Sequence, residues 1–159
     1  MTGLAYHLAW MGLGLLLAAG LSAWLVARVG QHARREAQAR GLLSALRLYA
    51  LWLAAQRSGL GGAVERASVA AALRRAQACA GPLGPRVARA VADLAQADDA
   101  IERLSHRQRS LRRDDPEAWL DSDHEAQLAA LRQRQEAALQ AAQALALSNR
   151  RAIHSSDIV

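Results

Sequence analysis

The sequence predicts an all-α protein with a single N-terminal transmembrane helix followed by an antiparallel bundle of about four helices. Two observations carry this prediction. Residues 4–27 contain no Asp, Glu, Lys or Arg, whereas charged residues recur throughout the rest of the chain. The remaining sequence is rich in Ala, Leu, Arg and Gln and contains no Phe, a composition that favours helix. We therefore expect no β-sheet.

The apolar segment 4–27 is long enough to cross a bilayer. At about 1.5 Å rise per residue it spans the hydrocarbon core of about 30 Å, and Trp10 and Trp24 can lie near its two interfaces. A cleaved signal peptide is disfavoured because no Arg or Lys precedes the segment and no Ala-x-Ala site closes it. The segment is also too long for an ordinary core helix and has no polar face for an interfacial one.

The charge around this segment predicts the orientation of the protein. Basic residues are concentrated on its C-terminal side, and the nearest are Arg28, Arg34, Arg35, Arg40 and Arg47. The positive-inside rule then places the N-terminus outside and the helical body in the cytoplasm, at the inner (cytoplasmic) membrane. The first four of these arginines could also contact anionic lipid. The expected organisation is an anchor and juxtamembrane segment at 1–30, a bundle at 31–151 and a flexible tail at 152–159.

Composition also bears on the partners. All 20 basic residues are arginine and the net charge is +6, but the arginines alternate with Glu, Asp and Gln and few aromatics accompany them. This pattern does not indicate a nucleic-acid surface. Gly14, Ala18 and Ser22 share one face of the membrane segment and would permit close approach of a second helix, although this spacing also arises by chance in such a sequence. The expected partners are the lipid bilayer and either a second copy or another membrane protein.

Apolar periodicity divides the bundle into helical segments. The first, 31–56, is expected to continue the membrane helix, with Gly41 as its weakest point, and it has an apolar face of Leu42, Leu46, Tyr49 and Leu53. The second covers 63–80; it follows the glycine-rich SGLGG and ends at GPLGP, where Pro cannot continue a helix. The third covers 86–113 with near-heptad spacing of Val87, Val91, Leu94, Ile101, Leu104 and Leu111.

Three polar or aromatic positions complete the bundle prediction. Asp98 falls near the apolar stripe of the third helix; it either lies at the edge of the stripe or pairs with an arginine of a neighbouring helix, and we expect the edge. Trp119 is expected to dock the connector that follows. A capping box of Ser122 and Glu125 begins the last helix, which runs to about Arg151 with Leu128, Leu131, Leu139 and Leu145 on one face.

Residue types that form catalytic or metal sites are scattered in this sequence. The five histidines include no i, i+4 pair and no HExxH, so no metal site is predicted. The chain has no GxSxG, no P-loop and no carboxylate pair in an apolar setting, so we expect neither an enzyme nor a cofactor. Cys79 is the single cysteine, and its small-residue surroundings favour a packed hydrophobe over a reactive thiol.

Arg66 is the strongest candidate for a binding residue. It stands among small and apolar residues, so its guanidinium is expected to be partly enclosed and to need an acceptor. Neighbouring Glu65 points elsewhere on the helix. A carboxylate of another helix or a small planar anion could supply the oxygens. An exposed or salt-bridged arginine on an Ala-rich helix is the simpler alternative.

The motif around Arg66 resembles a motif of a known protein family. GGAVERAS, preceded by LLSALRLYALWLAAQR, resembles the Gly, spacer, Glu-Arg-Ala helix of the nitrate/nitrite-sensing domains of bacterial signalling proteins, over residues 42–76. Those domains are helical bundles in which arginines of separate helices enclose the anion. The resemblance implies Arg66 as an anion-contacting residue, and proximity adds Arg57 as a second candidate.

The sequence thus favours a non-enzymatic, membrane-anchored sensory or signalling accessory that binds a small, nitrate- or nitrite-like anion between helices. The alternative is a structural or assembly scaffold that recruits partners to the membrane through its bundle. The regular apolar stripe from Val87 to Leu111 is the feature that supports this alternative.

Overall fold

The computed structural model describes residues 2–59, 65–115, 117, 119 and 123–155, with side chains in the first helix described for Met11 and from Gly14 onward. These residues form four α-helices and one short 3-10 turn and contain no strand, so the all-α prediction is confirmed. The elements are α1 (Thr2–Arg57), α2 (Arg66–Ala80), the turn Gly81–Leu83, α3 (Pro85–Asp114) and α4 (His124–Ser155).

Some predicted features fall outside the described residues. They are the Trp10 side chain, Gly61, Gly62, Val64, Ser122 and the end of the tail, 156–159. Helix α4 continues to Ser155, and it therefore includes the first part of the segment expected to be a flexible tail.

The chain divides into two compact units, Met1–Glu36 and Ala37–Val159. The large apolar side chains that are described in the first unit are exposed, with Leu15, Leu16 and Leu17 each about two thirds or more accessible. Within the described residues α1 is the one helix long and apolar enough to cross a membrane. The Ser22 hydroxyl donates a hydrogen bond to the Ala18 carbonyl at 2.8 Å, so this polar group is satisfied within its own helix.

All four helices contribute side chains to the core of the second unit. Helix α1 supplies Leu42, Leu46 and Tyr49, as the apolar periodicity predicts, together with Trp52. Its partners in the same cluster are Val69, Leu73, Ala76 and Ala80 of α2, Val87, Val91 and Leu94 of α3, and Leu139, Ala142 and Ala146 of α4. On α4 the most deeply buried positions are alanines, while Leu128 and Leu131 are only half-buried.

Gly41 marks a close contact between α1 and α2. The helix passes through this glycine without a break. A Cβ atom at position 41 would lie 3.2 Å from Cys79 Sγ, which is tighter than ordinary van der Waals contact. Cys79 in turn packs against the core, in agreement with its predicted role as a small hydrophobe. The glycine therefore allows α2 to approach α1 at this level.

The GPLGP segment ends α2 and begins α3. Helix α2 stops at Ala80, the 3-10 turn follows, and Gly84 adopts a φ of 119°, a region that side chains with a Cβ rarely occupy. Pro85 is the first residue of α3, where its missing N–H costs no helical hydrogen bond. The predicted break is thus confirmed at this position.

Candidate functional site

A buried polar cluster lies inside the otherwise apolar core. It consists of Tyr49 of α1, Asp98 of α3 and Gln135 of α4, each less than a tenth exposed. The Tyr49 hydroxyl donates to Asp98 Oδ1 at 2.7 Å. Gln135 Nε2 donates to the Tyr49 hydroxyl oxygen at 2.6 Å and to Asp98 Oδ1 at 3.1 Å. One carboxylate therefore joins three helices.

The expectation that Asp98 lies at the edge of the α3 stripe is wrong. Asp98 is only 6% exposed. It lies one turn after the fully buried Leu94, on the same face of α3. A carboxylate is costly to bury unless its oxygens are hydrogen-bonded and its charge is paired. Here Tyr49, Gln135 and Arg66 meet both conditions, so the second alternative, pairing with an arginine of a neighbouring helix, is what the structure contains.

Arg66 lies at the first position of α2 and binds two carboxylates of α3. Its Nη2 atom is 3.2 Å from Asp98 Oδ2 and 3.0 Å from Glu102 Oε2. Asp98 and Glu102 are four residues apart and so share one face of α3. The guanidinium also lies over the Trp52 ring, with Cζ 5.1 Å from the ring centroid. Carboxylates of another helix therefore occupy this nitrogen, and the Arg66 side chain remains 43% exposed.

Arg57 forms a more exposed contact at the end of α1. Its Nη2 atom lies 2.8 Å from Glu136 Oε2 of α4, with both side chains largely accessible. An exposed pair of this kind contributes at most about 1 kcal/mol to stability. The contact joins α1 to α4, as the Arg66 contacts join α2 to α3.

Burial in this cluster raises the pKa of Tyr49 above its ordinary value of 10.0, and the hydrogen bond to Asp98 and its negative charge raise it further. The loss of solvent disfavours a phenolate in the core, and a neighbouring carboxylate repels it. The phenol is therefore held in its protonated form, in which it donates to Asp98.

An open cleft of about 710 Å³ lies next to the buried cluster. Its wall includes one arginine from each helix: Arg57 of α1, Arg66 of α2, Arg109 of α3 and Arg132 of α4. The structure thus brings the two sequence-predicted arginines to one cavity. Trp52, Leu53 and Ile101 provide apolar wall, and the polar remainder is Gln56, Glu102, Ser105 and Gln135.

The four arginines differ in how their charge is compensated. Arg57 and Arg66 have carboxylate partners, whereas Arg109 Nε donates to the Ser105 carbonyl of its own helix at 3.3 Å. Arg132 forms no ion pair with any described residue. Within the described part of the chain, the Nε and Nη1 groups of Arg66 also make no hydrogen bond. Donors remain for an anion in the cleft.

Sequence reasoning missed Arg109 and Arg132 as members of the site. A partial signal was present on α3, because Ile101, Ser105 and Arg109 follow each other at four-residue intervals and so share a face. No such signal marks Arg132, since its approach to the other arginines depends on how α4 packs. Among the described residues no group of three His, Cys, Asp or Glu side chains is placed to hold a metal ion.

The arginine-lined cleft and the GGAVERAS motif are the two features of this chain that bear on its function. A scan against protein-family models finds no matching family, and searches of curated proteins and of solved structures find no significant match to this chain.

Proposed function

We propose that this protein is a non-enzymatic, membrane-anchored accessory of a bacterial signalling system, whose helical bundle binds a small anion of the nitrate or nitrite kind. The observation that carries the proposal is the cleft to which each of the four helices contributes an arginine. Arginine suits this role because its planar, permanently charged fork matches the geometry of an oxyanion. The resemblance of residues 42–76 to nitrate/nitrite-sensing domains supports the same function.

The charge balance in the cleft favours an anion over a cation. Four arginines line it, and the carboxylates that pair with them are Asp98, Glu102 and Glu136. A guanidinium in a partly enclosed cleft is less screened than one on open surface, so it attracts an anion more strongly. Binding would also link the four helices that carry the arginines.

The proposal includes the architecture and topology of the chain. Residues 4–27 cross the inner membrane with the N-terminus outside, and the helices of the cytoplasmic bundle run antiparallel. Support comes from the exposed apolar face of α1 and from the basic flank after Ala27. A reporter enzyme that is active only outside the cytoplasm, fused after Val159, should be inactive. Its activity would overturn the orientation without affecting the cleft.

Titration calorimetry of the full chain in nanodiscs tests anion binding directly. Nitrate and nitrite should bind the wild type, and Arg132→Gln should reduce their affinity by about tenfold or more, the usual scale for a lost charge-assisted contact. Arg134→Gln is the matched control because Arg134 is an exposed residue of the same helix that does not line the cleft. Absence of heat with the wild type, or equal binding by both variants, would contradict the proposal.

A scaffold is the second candidate function, and a separate surface favours it. Leu48, Leu51 and Leu147 are the large apolar side chains exposed on the described part of the second unit. Leu48 and Leu51 line a groove with Arg40, Arg47 and Arg150. Sedimentation of the nanodisc-free, detergent-solubilised chain distinguishes the two functions. An obligate dimer without anion binding favours the scaffold, and a monomer that binds anion favours the sensor.

A further inference from the structure

We propose that the cleft takes an organic anion with an apolar body, and that Arg109 and Arg132 bind its charged group while Leu53 and Ile101, beside the largely buried Trp52, contact the body. This inference rests on the anion-binding part of the proposed function, and it replaces the small inorganic anion proposed there with a larger organic one. Its basis is that only some of the arginines that line the cleft have carboxylate partners.

Two of the four arginines are available to the charged end of the ligand. Arg66 holds Asp98 and Glu102, and Arg57 holds Glu136, so an anion at either guanidinium must share it with a carboxylate. Arg109 and Arg132 have no carboxylate partner among the described residues. Two such guanidiniums, on α3 and α4 of one cleft, are the strongest positions for a carboxylate or a phosphate monoester.

An apolar wall of the cleft is available to the rest of the ligand. Trp52, Leu53 and Ile101 give the cleft an apolar wall, and Leu53 and Ile101 are half-buried. An inorganic oxyanion gains nothing from such a wall, because its charge is better hydrated in water. An apolar body placed there removes apolar surface from water on both partners, which favours binding.

The cleft is large enough for an organic ligand. A volume of about 710 Å³ falls in the range of roughly 300 to 1,000 Å³ that holds drug-sized organic ligands. The cleft also contains hydrogen-bond donors and acceptors, in the Ser105 hydroxyl and the Gln56 amide. These groups can orient a ligand larger than a triatomic or tetra-atomic ion. Charge, apolar wall and size therefore agree on one ligand class.

Four probe molecules separate these contributions in calorimetric titrations of the full chain in nanodiscs. Benzoate has both the charge and the apolar body, acetate has the charge alone, benzamide has the body alone, and nitrate is a small inorganic anion. Benzoate should bind at least about tenfold more tightly than acetate or nitrate, and benzamide should give no measurable binding. Equal affinities for benzoate, acetate and nitrate would overturn the inference while leaving the proposed function intact.

Matched variants assign the two ends of the ligand. Arg109→Gln and Arg132→Gln should each weaken benzoate at least about tenfold, whereas Arg107→Gln and Arg134→Gln, which remove exposed arginines outside the cleft lining, should leave it unchanged. Leu53→Ala should weaken benzoate but not nitrate. Circular dichroism of each variant shows whether it folds.

The outcomes distinguish the two proposals. If none of benzoate, acetate, nitrate and nitrite binds the folded wild type, the anion-binding function and the inference both fail. If the anions bind but Leu53→Ala affects benzoate and nitrate alike, the ligand class is wrong and the function stands. If Arg57→Gln or Arg66→Gln abolishes binding while Arg109→Gln and Arg132→Gln do not, the assignment of the charged end is wrong.

Discussion

At the scale of single residues, Asp98 is the one charged side chain that is buried among the described residues of the bundle. Its two oxygens accept bonds from Tyr49, Gln135 and Arg66. Glu102 contacts the same Arg66 nitrogen but is 60% exposed. The two carboxylates thus share a partner and differ in environment, which separates the effect of burial from that of pairing.

Asp98→Ala should lower the free energy of unfolding by about 2 to 4 kcal/mol, because the Tyr49 hydroxyl and the Gln135 amide lose their acceptor in the core. Glu102→Ala should lower it by less than about 1 kcal/mol, as expected for an exposed ion pair. Urea unfolding of the full chain in nanodiscs, followed by tryptophan fluorescence, measures both. Equal losses would show that the pairing with Arg66, rather than the buried cluster, provides the stability.

Tyr49 gives the bundle a dependence on alkaline pH. Because the folded protein raises the pKa of this phenol, its contribution to stability is complete below the unfolded pKa near 10 and declines as the pH rises above it. The free energy of unfolding should fall by about 1.4 kcal/mol per pH unit above that value. Tyr49→Phe removes this component of the slope. Identical slopes for wild type and Tyr49→Phe between pH 10 and 11 would contradict the burial of a neutral phenol.

At the scale of helices, close packing of small residues is the recurring feature. Gly41 faces Cys79 across the contact between α1 and α2, and Ala142 and Ala146 are the fully buried positions of α4. Small side chains let helix backbones approach, and the larger residues beside them then fill the remaining space. Packing of this kind makes the cost of a single added methyl group depend strongly on its neighbour.

Gly41→Ala tests this dependence. In a helix interior, Gly to Ala gains about 0.5 to 1 kcal/mol, but here the new Cβ would lie 3.2 Å from Cys79 Sγ. In a Cys79→Ala background the full gain should appear, and in the wild-type background it should be reduced or reversed. A double-mutant cycle from urea unfolding gives the coupling between the two positions. Additive effects would show that α1 and α2 are not in tight contact at this level.

Particular residues show how far the sequence specifies these elements. Leu42, Leu46 and Tyr49 could be assigned to the core because helical periodicity depends only on local spacing. Asp98 could not, since its burial requires donors on α1, α2 and α4 whose approach is a property of the tertiary packing. The position of Arg132 in the cleft could not be predicted for the same reason. The local surroundings of Arg66 predicted that it needs an acceptor. The identity of the acceptors on α3 depends on how the helices pack, so the sequence did not specify it.

At the scale of the whole chain, two exposed apolar surfaces have different consequences. The leucines of the first unit, such as Leu16, belong to a continuous uncharged segment, whereas the exposed Leu51 of the second unit lies on a stretch of α1 whose other face is buried in the core. A long uncharged run is what a bilayer requires, while a single exposed leucine is common on any protein surface.

Leu16→Arg should therefore impair membrane insertion, since arginine at the centre of a span costs about 2.5 to 3.5 kcal/mol on insertion scales. Leu51→Arg, which changes a leucine of similar exposure, should leave insertion unchanged. Carbonate extraction of membranes from expressing cells measures the fraction that remains membrane-bound. If Leu16→Arg resists extraction as well as wild type, residues 4–27 do not form the span.

The buried polar cluster also determines the axial register in which the helices pack. Helices built from Ala and Leu can slide by one turn against each other and still bury similar apolar surface, so apolar packing alone specifies axial register weakly. Such a slip moves each helix by about 5.4 Å, which would separate the Tyr49, Asp98 and Gln135 contacts of 2.6 to 3.1 Å. A misaligned bundle would then hold an uncompensated carboxylate, as a single buried asparagine penalises wrong pairings in coiled coils. The cluster thus favours one axial register of the three helices over others that would bury a similar amount of apolar surface.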